Sequence, residues 1–361
     1  MAGVYISYPF CGQKCTYCNF ASGVFSKDLE ARYLDVVCAE IARHPWRWTP
    51  ETVFAGGGTP SQLSPEAVAK LFGALPGRPW REATMEAAPG SFTLDQVRAW
   101  RAAGINRVSL GVQSFVKPEL ARTGRRHDAE IVAANIALLR AEGISNFNVD
   151  LIAGLPGQTP ATWRQSLAWV ERLEAPHVSV YMLEVDEDSR LGLEILDGGG
   201  RYGARDVPSN DAIADMYESA AEFLAGIGVP RYEISNFARP GMESVHNLKY
   251  WRRAPYIGFG SDAHSFDGEV RRQNVESAAE YVRRAIAGEP VVTEESTAKA
   301  DEERWFLGLR LAEGVAVPSA NSEPVSQFLR DGLLEQQDGR VRLTPRGILV
   351  SNDVFAEFIH D

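Results

Sequence analysis

Three cysteines stand close together near the start of the chain, at Cys11, Cys15 and Cys18. Thiolates at this CxxxCxxC spacing can face one centre. A structural zinc site normally needs a fourth Cys or His nearby, and none stands within reach in the sequence. A complete iron–sulfur site also uses four ligands, so three cysteines leave one iron open. The pattern favours a 4Fe-4S cluster with one open iron, and zinc with a distant His is the alternative.

The fourth cysteine, Cys38, stands alone in a predicted helix, where we expect a small buried apolar residue. Three clustered cysteines and one isolated cysteine do not suggest a disulfide framework. This distribution is typical of a metal site in a reducing compartment.

Polar and glycine residues follow the ends of several predicted strands. A glycine run comes after the second strand, where bare backbone can approach a ligand: Gly56, Gly57, Gly58 and Thr59. Glu86 ends the third strand, Gln113 follows the fourth, and Asp150 lies in the fifth. In a parallel barrel these ends form a single face, the one that carries chemistry. Singly, each residue fits a helix cap or a buried hydrogen bond, but their joint placement favours a ligand site.

The charges at this face suggest which ligand groups it could hold. Glu86 or Asp150 can pair with a cationic group of a ligand, and Arg125 can pair with a carboxylate. The neighbouring Arg126 could equally take the carboxylate.

The elements that position these residues alternate between strand and helix. Six strands are predicted, at Gly3–Ser7, Thr52–Ala55, Thr84–Ala87, Arg107–Gly111, Asn146–Ile152 and His177–Leu183. Six helices lie between or after them, at Lys27–Arg43, Pro65–Leu75, Leu94–Ala103, Asp128–Ala141, Pro160–Leu173 and Asn210–Ile227. The expected fold class is α/β, with a partial parallel (β/α)6 barrel.

The second half of the chain has a different composition. Asp186–Pro208 is rich in Gly, Asp and Arg and is predicted to be a mobile excursion. Residues 230–270 are dense in aromatics and glycines. The C-terminal segment suggests a small helical, winged domain with helices at Trp305–Leu311 and Val325–Leu334, a strand at Arg340–Leu343 and a last helix to Phe358. We therefore expect a barrel over 1–227, an aromatic-rich extension packing on it over 228–297, and the winged domain over 298–361.

Composition limits the possible partners. The chain has 361 residues, 45% hydrophobic and 24% charged, as in an ordinary soluble protein. Its net charge of −11 argues against a nucleic-acid surface. No apolar run is long enough for a transmembrane segment, and the start does not resemble a signal peptide. The expected location is the cytoplasm, where contact with a membrane would be peripheral.

The cysteine spacing resembles that of the radical S-adenosylmethionine (SAM) superfamily. The resemblance implies that the methionine amino and carboxylate groups of SAM bind the open iron, and that an electron from the cluster cleaves the sulfonium. Longer segments resemble the oxygen-independent coproporphyrinogen III oxidase-like proteins: Tyr5–Cys11, Leu110–Phe115, Asp150–Thr159, Tyr232–Asn236 and His246–Trp251. By this resemblance, Glu86, Gln113, Arg125 and Asp150 contact SAM.

Two features separate the branches of this family. The coproporphyrinogen dehydrogenases carry a further cysteine two positions after the third, and a long segment ahead of the cluster. Here Phe20 takes that position, and the cysteines begin at residue 11. Both features resemble the heme chaperone (HemW-type) branch, which implies heme binding and transfer to an acceptor such as a membrane respiratory protein. That branch usually has His where Ser7 stands, so a role for that side chain does not carry over.

The segment His246–Trp251 resembles the motif implicated in heme binding in that branch. Imidazole is a common axial ligand of heme iron, and Tyr250 and Trp251 offer flat apolar area to a macrocycle. Arg252 and Arg253 could hold propionates. The alternative is a core aromatic cluster with a surface His.

The other histidines receive different predictions. His264 is a second candidate heme ligand. We predict structural roles for His127 and His177, and exposed positions for His44 and His360.

Three functions are compatible with these residues. The first is a heme chaperone that binds heme, a SAM-ligated 4Fe-4S cluster and an acceptor protein. The second is an oxygen-independent coproporphyrinogen III dehydrogenase. The third is another radical SAM enzyme that acts on a tetrapyrrole, such as a methyltransferase or a heme-opening enzyme. Heme binding without porphyrinogen conversion distinguishes the first from the others.

Overall fold

The structure is a computed structural model that describes residues 2–317 and 323–359. An eleven-stranded sheet runs through it, with strand order β11-β10-β9-β8-β1-β2-β3-β4-β5-β6-β7. Its strands are β1 Ala2–Tyr8, β2 Pro50–Gly57, β3 Glu82–Ala87, β4 Arg107–Gln113, β5 Asn146–Ala153, β6 His177–Met182, β7 Asn236–Ala238, β8 Tyr256–Phe259, β9 His264–Phe266, β10 Val270–Asn274 and β11 Val292–Thr297.

Strands β1 to β6 are parallel and adjacent in chain order. The predicted parallel α/β fold is therefore confirmed, and each of the six strands lies within a few residues of its predicted position. One face of these strands is apolar and buried, and includes Val4, Val53 and Val108. Alternate residues face the other way, because successive side chains of a strand point to opposite faces. That second face is largely polar, as described below.

Most of the helices that precede the C-terminal part cover the apolar face. The helices in this part of the chain are α1 Lys27–Arg43, α2 Pro65–Gly73, α3 Leu94–Ala103, α4 Lys117–Arg122, α5 Ala129–Ala141, α6 Pro160–Arg172, α7 Arg190–Leu196, α8 Asn210–Gly226, α9 Val245–Trp251 and α10 Ala278–Ala287. Of these, α7 packs against the cysteine loop and α9 lies at the amino ends of the strands. Ser64, Thr93 and Thr159 cap their helices with side-chain hydrogen bonds. These caps explain why the helix starts were readable from the sequence.

Five further strands extend the sheet at its two edges. β8 pairs parallel to β1, and β9, β10 and β11 continue outward in antiparallel fashion. At the other edge β7 pairs antiparallel to β6. The aromatic-rich region thus joins the sheet itself. Sequence patterns missed these strands because they are short, and because all six residues of β11 are exposed.

The segment Asp186–Pro208 was predicted to be a mobile excursion, and this was wrong. It contains α7 and a short 3-10 helix, Arg201–Asp206. Leu191 is fully buried, and its backbone N–H donates to the carbonyl of Thr16 at 2.8 Å. The segment is therefore packed against the cysteine loop despite its Gly- and Asp-rich composition.

The C-terminal part has the predicted helical and winged form. It contains α11 Ala300–Gly308, β12 Val315–Ala316, α12 Glu323–Arg330, β13 Leu334–Gln337, β14 Arg340–Leu343, α13 Pro345–Leu349 and α14 Ser351–Ala356. The sheet order is β12-β14-β13. The single last helix of the prediction is instead two short helices, α13 and α14, since Val350 between them has a non-helical backbone. His360 lies outside the described residues.

Helix α9 closes the polar face at the amino ends of the parallel strands. Glu82, the first residue of β3, accepts hydrogen bonds from the hydroxyl of Ser244 and from the backbone N–H groups of Val245 and His246, at 3.2, 2.8 and 2.9 Å. Glu82 is buried, so all three donors would be left unpaired without it. No helix among the described residues is long and apolar enough to span a membrane.

We predict that Glu82→Ala lowers the free energy of unfolding by about 3 kcal/mol, because buried donors to a charged acceptor lose their partner. Chemical denaturation followed by circular dichroism measures this change. Glu130→Ala, on the exposed first turn of α5, is the control and should change stability by less than about 0.5 kcal/mol. Equal small effects of both variants would contradict the role given to Glu82.

Candidate functional site

The polar face of the parallel strands carries a continuous hydrogen-bond network. The Nδ2 of Asn148 donates to Ser109, Asp150 and Ser179 on three adjacent strands, at 2.8, 2.6 and 2.9 Å. Arg107 is buried on the same face, and among the described residues its guanidinium makes a single long hydrogen bond, 3.4 Å to Thr84 Oγ1. The interior of the open barrel is therefore charged as well as polar.

Two carboxylates stand toward the carboxyl ends of the strands. Glu86 accepts from the N–H of Gly57 at 3.0 Å. Burial, and next the charge of Asp150, raise the pKa of Glu86 to about 8. Burial also raises the pKa of Asp150, against hydrogen bonds from Ser179 and Asn148 that lower it. Two acidic groups held in this way favour a cationic ligand, whose charge would let both ionise.

Arg125 and Gln113 approach each other above β4. The Nη1 of Arg125 donates to the carbonyl of Gly111 at 2.7 Å, and its Nη2 donates to Tyr17 Oη at 3.3 Å. Its Nε is buried and has no partner within the described residues. Gln113 has a φ of 68°, in the left-handed region that non-glycine residues rarely adopt. An orphaned donor and a strained backbone at one place are typical of a ligand site.

The glycine run packs against the chain that leads into the cysteine loop. The N–H of Gly58 donates to Tyr8 at 2.7 Å, and that of Thr59 donates to Phe10 at 2.9 Å. A Cβ on Gly58 would lie 2.6 Å from the carbonyl oxygen of Phe10, and a Cβ on Gly56 would lie 2.9 Å from Glu86 Oε1. Only glycine allows this close approach.

The three cysteines are free thiols and are half-buried. Cys15 and Cys18 line a cavity of about 540 Å³ next to the loop. Within residues 2–317 and 323–359, no three His, Cys, Asp or Glu side chains are close enough to hold a single metal ion. A cluster has several irons and so accepts ligands that stand farther apart than those of one ion. Free thiols beside a cavity fit that donor set.

Several residues that support the cysteine loop were missed by the sequence prediction. Thr16 N–H donates to Thr123 at 3.3 Å, and Gln13 Nε2 donates to Gly124 at 2.8 Å. The guanidinium of Arg190 donates to the carbonyl of Lys14. Tyr17 was also missed, although its position between two cysteines was a usable signal. The Arg190 contact crosses 176 positions, so nothing local in the sequence indicated it.

His246 lies away from these groups, at the amino ends of the strands. It is fully buried, its Nδ1 is 2.8 Å from Thr52 Oγ1, and its Nε2 is 2.8 Å from Tyr250 Oη. Burial, then Lys249 and Arg107, lower its pKa to about 3. Both ring nitrogens are thus occupied in this conformation, and the structure does not bring His246 together with the cysteines.

The other residues near the predicted heme motif also have partners. The Arg310 guanidinium stacks over the ring of Trp251, 4.6 Å from its centroid. Arg253 pairs with Glu303 at 2.7 Å, and Arg252 pairs with Glu313 at 3.3 Å. His264 is exposed on β9. The arrangement of His246, Tyr250 and Trp251 is that of packed side chains in this conformation.

The remaining histidines mostly follow the prediction. His127 and His177 are buried and hydrogen-bonded, to Val112 and to Asn148 with Tyr232 respectively. His44 was predicted to be exposed, and this was wrong: it is half-buried, edge-on to Trp46 and Phe259.

Comparisons with known proteins agree with this fold. A family model for the radical SAM superfamily matches residues 5–170, and one for the HemN C-terminal domain matches residues 300–350. The solved structure of coproporphyrinogen III oxidase (HemN) from Escherichia coli, a radical SAM enzyme, aligns with a TM-score of 0.84 at 22% identity, over 99% of this chain and 89% of that chain. The similarity shows a shared fold. The family model, together with this fold, defines a radical SAM protein.

Relatives that match along nearly the entire chain identify the family within the radical SAM class. Heme chaperone HemW of Lactococcus lactis is 31% identical over 374 residues, 99% of this chain and 97% of that protein. Heme chaperone HemW of Bacillus subtilis is 32% identical over 381 residues, 99% of both. The chain belongs to the HemW family, and the expected family resemblance is confirmed.

Replacement of Gln113 tests the strained backbone. We predict that Gln113→Gly is about 1 kcal/mol more stable than Gln113→Ala, because only glycine adopts a positive φ without strain. Thermal unfolding measures the difference. The pair Asp338→Gly and Asp338→Ala should show the same stability difference, since Asp338 has a φ of 51° in an exposed turn. Only the Gln113 pair should weaken SAM binding. Unchanged SAM binding would show that Gln113 is not a contact.

Replacement of Glu86 tests the buried acid. Since its folded pKa of about 8 exceeds the ordinary 4.5, wild type should lose stability relative to Glu86→Gln as pH rises from about 4.5 to 8. The loss should be on the order of several kcal/mol. It is measured by denaturant titration at pH 5 and pH 9 without ligand. A constant difference between the two proteins would contradict the raised pKa.

Proposed function

We propose that this protein is a heme chaperone that holds a SAM-ligated 4Fe-4S cluster and passes heme, its cargo, to an acceptor protein. The observation that carries the proposal is the match to HemW relatives along nearly the entire chain. The site supports it, because the cysteine loop follows β1 and Glu86 lies next to the last residue of β3, both at the carboxyl ends of the parallel strands.

The described residues suggest how the cofactors are held. Cys11, Cys15 and Cys18 are the proposed cluster ligands, and a bound cluster would supply single electrons to SAM. Glu86 and Asp150 offer negative charge to the cationic parts of SAM, and the unpaired Nε of Arg125 offers a donor to its carboxylate. The backbone at Gly56, Gly57, Gly58 and Thr59 leaves room for the amino-acid portion, and Gln113 completes the proposed contacts.

Heme ligation by His246 is part of the proposal, and it requires a change in the conformation of the protein. Heme iron can reach the imidazole only if the hydrogen bond to Tyr250 or to Thr52 opens, because these hold both ring nitrogens. Since Glu82 anchors the start of α9, ligation would require this helix to move. Tyr250 and Trp251 would then be free to contact the macrocycle.

A coproporphyrinogen III dehydrogenase is the second candidate, and the shared HemN fold favours it. Phe20 stands where those enzymes have a further cysteine, which argues against it. Conversion of coproporphyrinogen III, rather than heme binding, distinguishes the enzyme from the chaperone. The acceptor protein and its location, in the cytoplasm or at a membrane surface, are parts of the chaperone proposal that a transfer assay would address.

The test combines an anaerobic heme titration with a coproporphyrinogen III turnover assay on the reconstituted protein. We expect a saturable change in Soret absorbance and no protoporphyrinogen IX in the presence of SAM and a reductant. Product formation without heme binding would replace the chaperone proposal with the enzyme.

Variants at α9 then test the ligand. If His246 binds the iron, His246→Ala changes the Soret spectrum, and Tyr250→Phe speeds its appearance because one hydrogen bond to the imidazole is lost. Tyr256→Phe, at a neighbouring ring that does not bond His246, is the matched control. An unchanged spectrum in His246→Ala would refute His246 as the ligand and direct attention to His264.

A further inference from the structure

The loop that borders the cavity beside the cysteines carries two exposed apolar side chains, Phe20 and Val24. Phe20 is 66% exposed and lies two residues after Cys18, and Val24 is 65% exposed and lines the cavity itself. Large apolar groups left in water beside a cavity are typical of a binding surface. The loop that carries them is held in place by a 2.8 Å hydrogen bond from the N–H of Cys11 to the carbonyl of Gly23.

Helix α7 extends this apolar area from the other side of the cavity. Arg190 lines the cavity, and Leu193 follows three residues later, on the same side of the helix, with half of its surface exposed. Because Leu191 is buried under the helix, α7 is fixed against the loop rather than free. We call Phe20, Val24 and Leu193 the mouth surface.

Positive charge borders the mouth surface. The cavity is lined by the three cations Lys14, Arg126 and Arg190 and by one acid, Asp188. Lys14 donates to the carbonyl of Phe20 at 3.2 Å, and Arg190 donates to the carbonyl of Lys14. Arg126 is exposed and has no hydrogen-bond or ion-pair partner among the described residues. A cation without a partner thus stands beside exposed apolar side chains.

We infer, on the basis of the proposed function, that cargo heme docks at the mouth surface, with its ring on Phe20 and Val24 and a propionate on Arg126. Heme is a flat apolar ring with two carboxylates on one edge, so it matches an apolar surface bordered by a cation. His246, at the opposite end of the strands, is enclosed, so heme must first contact the protein elsewhere.

The apolar part is tested with the double variant Phe20→Ser/Val24→Ser in the full chain with reconstituted cluster. Anaerobic heme titration should give an affinity about tenfold weaker than that of wild type, because apolar contact area is lost. Ile286→Ser, at a 61% exposed position on α10, is the matched control and should bind as wild type. The same loss is expected in the His246→Ala background, because docking does not use that imidazole.

The cationic part is tested with Arg126→Glu and with heme dimethyl ester, whose propionates carry no charge. Wild type should bind the ester about tenfold more weakly than heme, and Arg126→Glu should lose this preference. Arg47→Glu, at another exposed arginine, should keep it. Iron per chain shows whether Arg126→Glu still holds the cluster. If this variant has less iron than wild type, the Phe20→Ser/Val24→Ser variant decides whether heme docks at the mouth surface, since it leaves the charge unchanged.

The possible results distinguish failure of heme docking at the mouth surface from failure of the proposed chaperone function. If wild type does not bind heme, the chaperone proposal fails and the docking site falls with it. If wild type binds heme and the mouth variants bind equally well, only the docking site is refuted. Equal binding with slower transfer would assign the mouth surface to the acceptor protein, which also overturns heme docking.

Discussion

The burial of charge on the concave face of the parallel sheet is the constraint on which the rest of the structure depends. Polar groups removed from water are tolerated only when they bond to one another. Asn148 therefore joins Ser109, Asp150 and Ser179, and Ser179 in turn donates to Asn236 on β7 at 2.7 Å. The network joins strands β4 to β7 across the sheet, and it explains why the barrel interior is not filled with apolar side chains.

The two ends of this interior are completed in different ways. At the amino ends, donors at the start of α9 bond to Glu82, and the imidazole of His246 bonds to Thr52. That end of the interior is therefore closed by protein. At the carboxyl ends no helix closes the face in this way: Glu86 accepts one hydrogen bond, from Gly57, and the buried Nε of Arg125 has no partner among the described residues. Arg107, deeper on the same face, also has an unpaired Nε, so the closure by α9 is what distinguishes the two ends. This asymmetry is a physical reason to place cofactors at one end and structural packing at the other.

The sequence predicted the first six strands well because each is a short segment with apolar or β-branched residues on one face, and because most of the following helices start at Ser, Thr or Pro. It failed where structure depends on distant contacts. α7 was missed because its residues read as a turn, while its buried Leu191 is held by the cysteine loop. The placement of His246 could not be predicted either. Its partner Thr52 lies 194 positions away, and a histidine before two aromatics looks the same whether buried or exposed.

At the acidic pair, the protonation of Glu86 is coupled to the binding of a cationic ligand. Without a cationic ligand, Glu86 keeps its proton near neutral pH, because burial and Asp150 disfavour its charge. A bound cation reverses this balance, so ligand binding must release a proton and gain stability that the free protein lacks. The glycine run bonds to Glu86 through Gly57 and, through Thr59, to Phe10 at the start of the cysteine loop, so a chain of hydrogen bonds joins the acidic site to that loop.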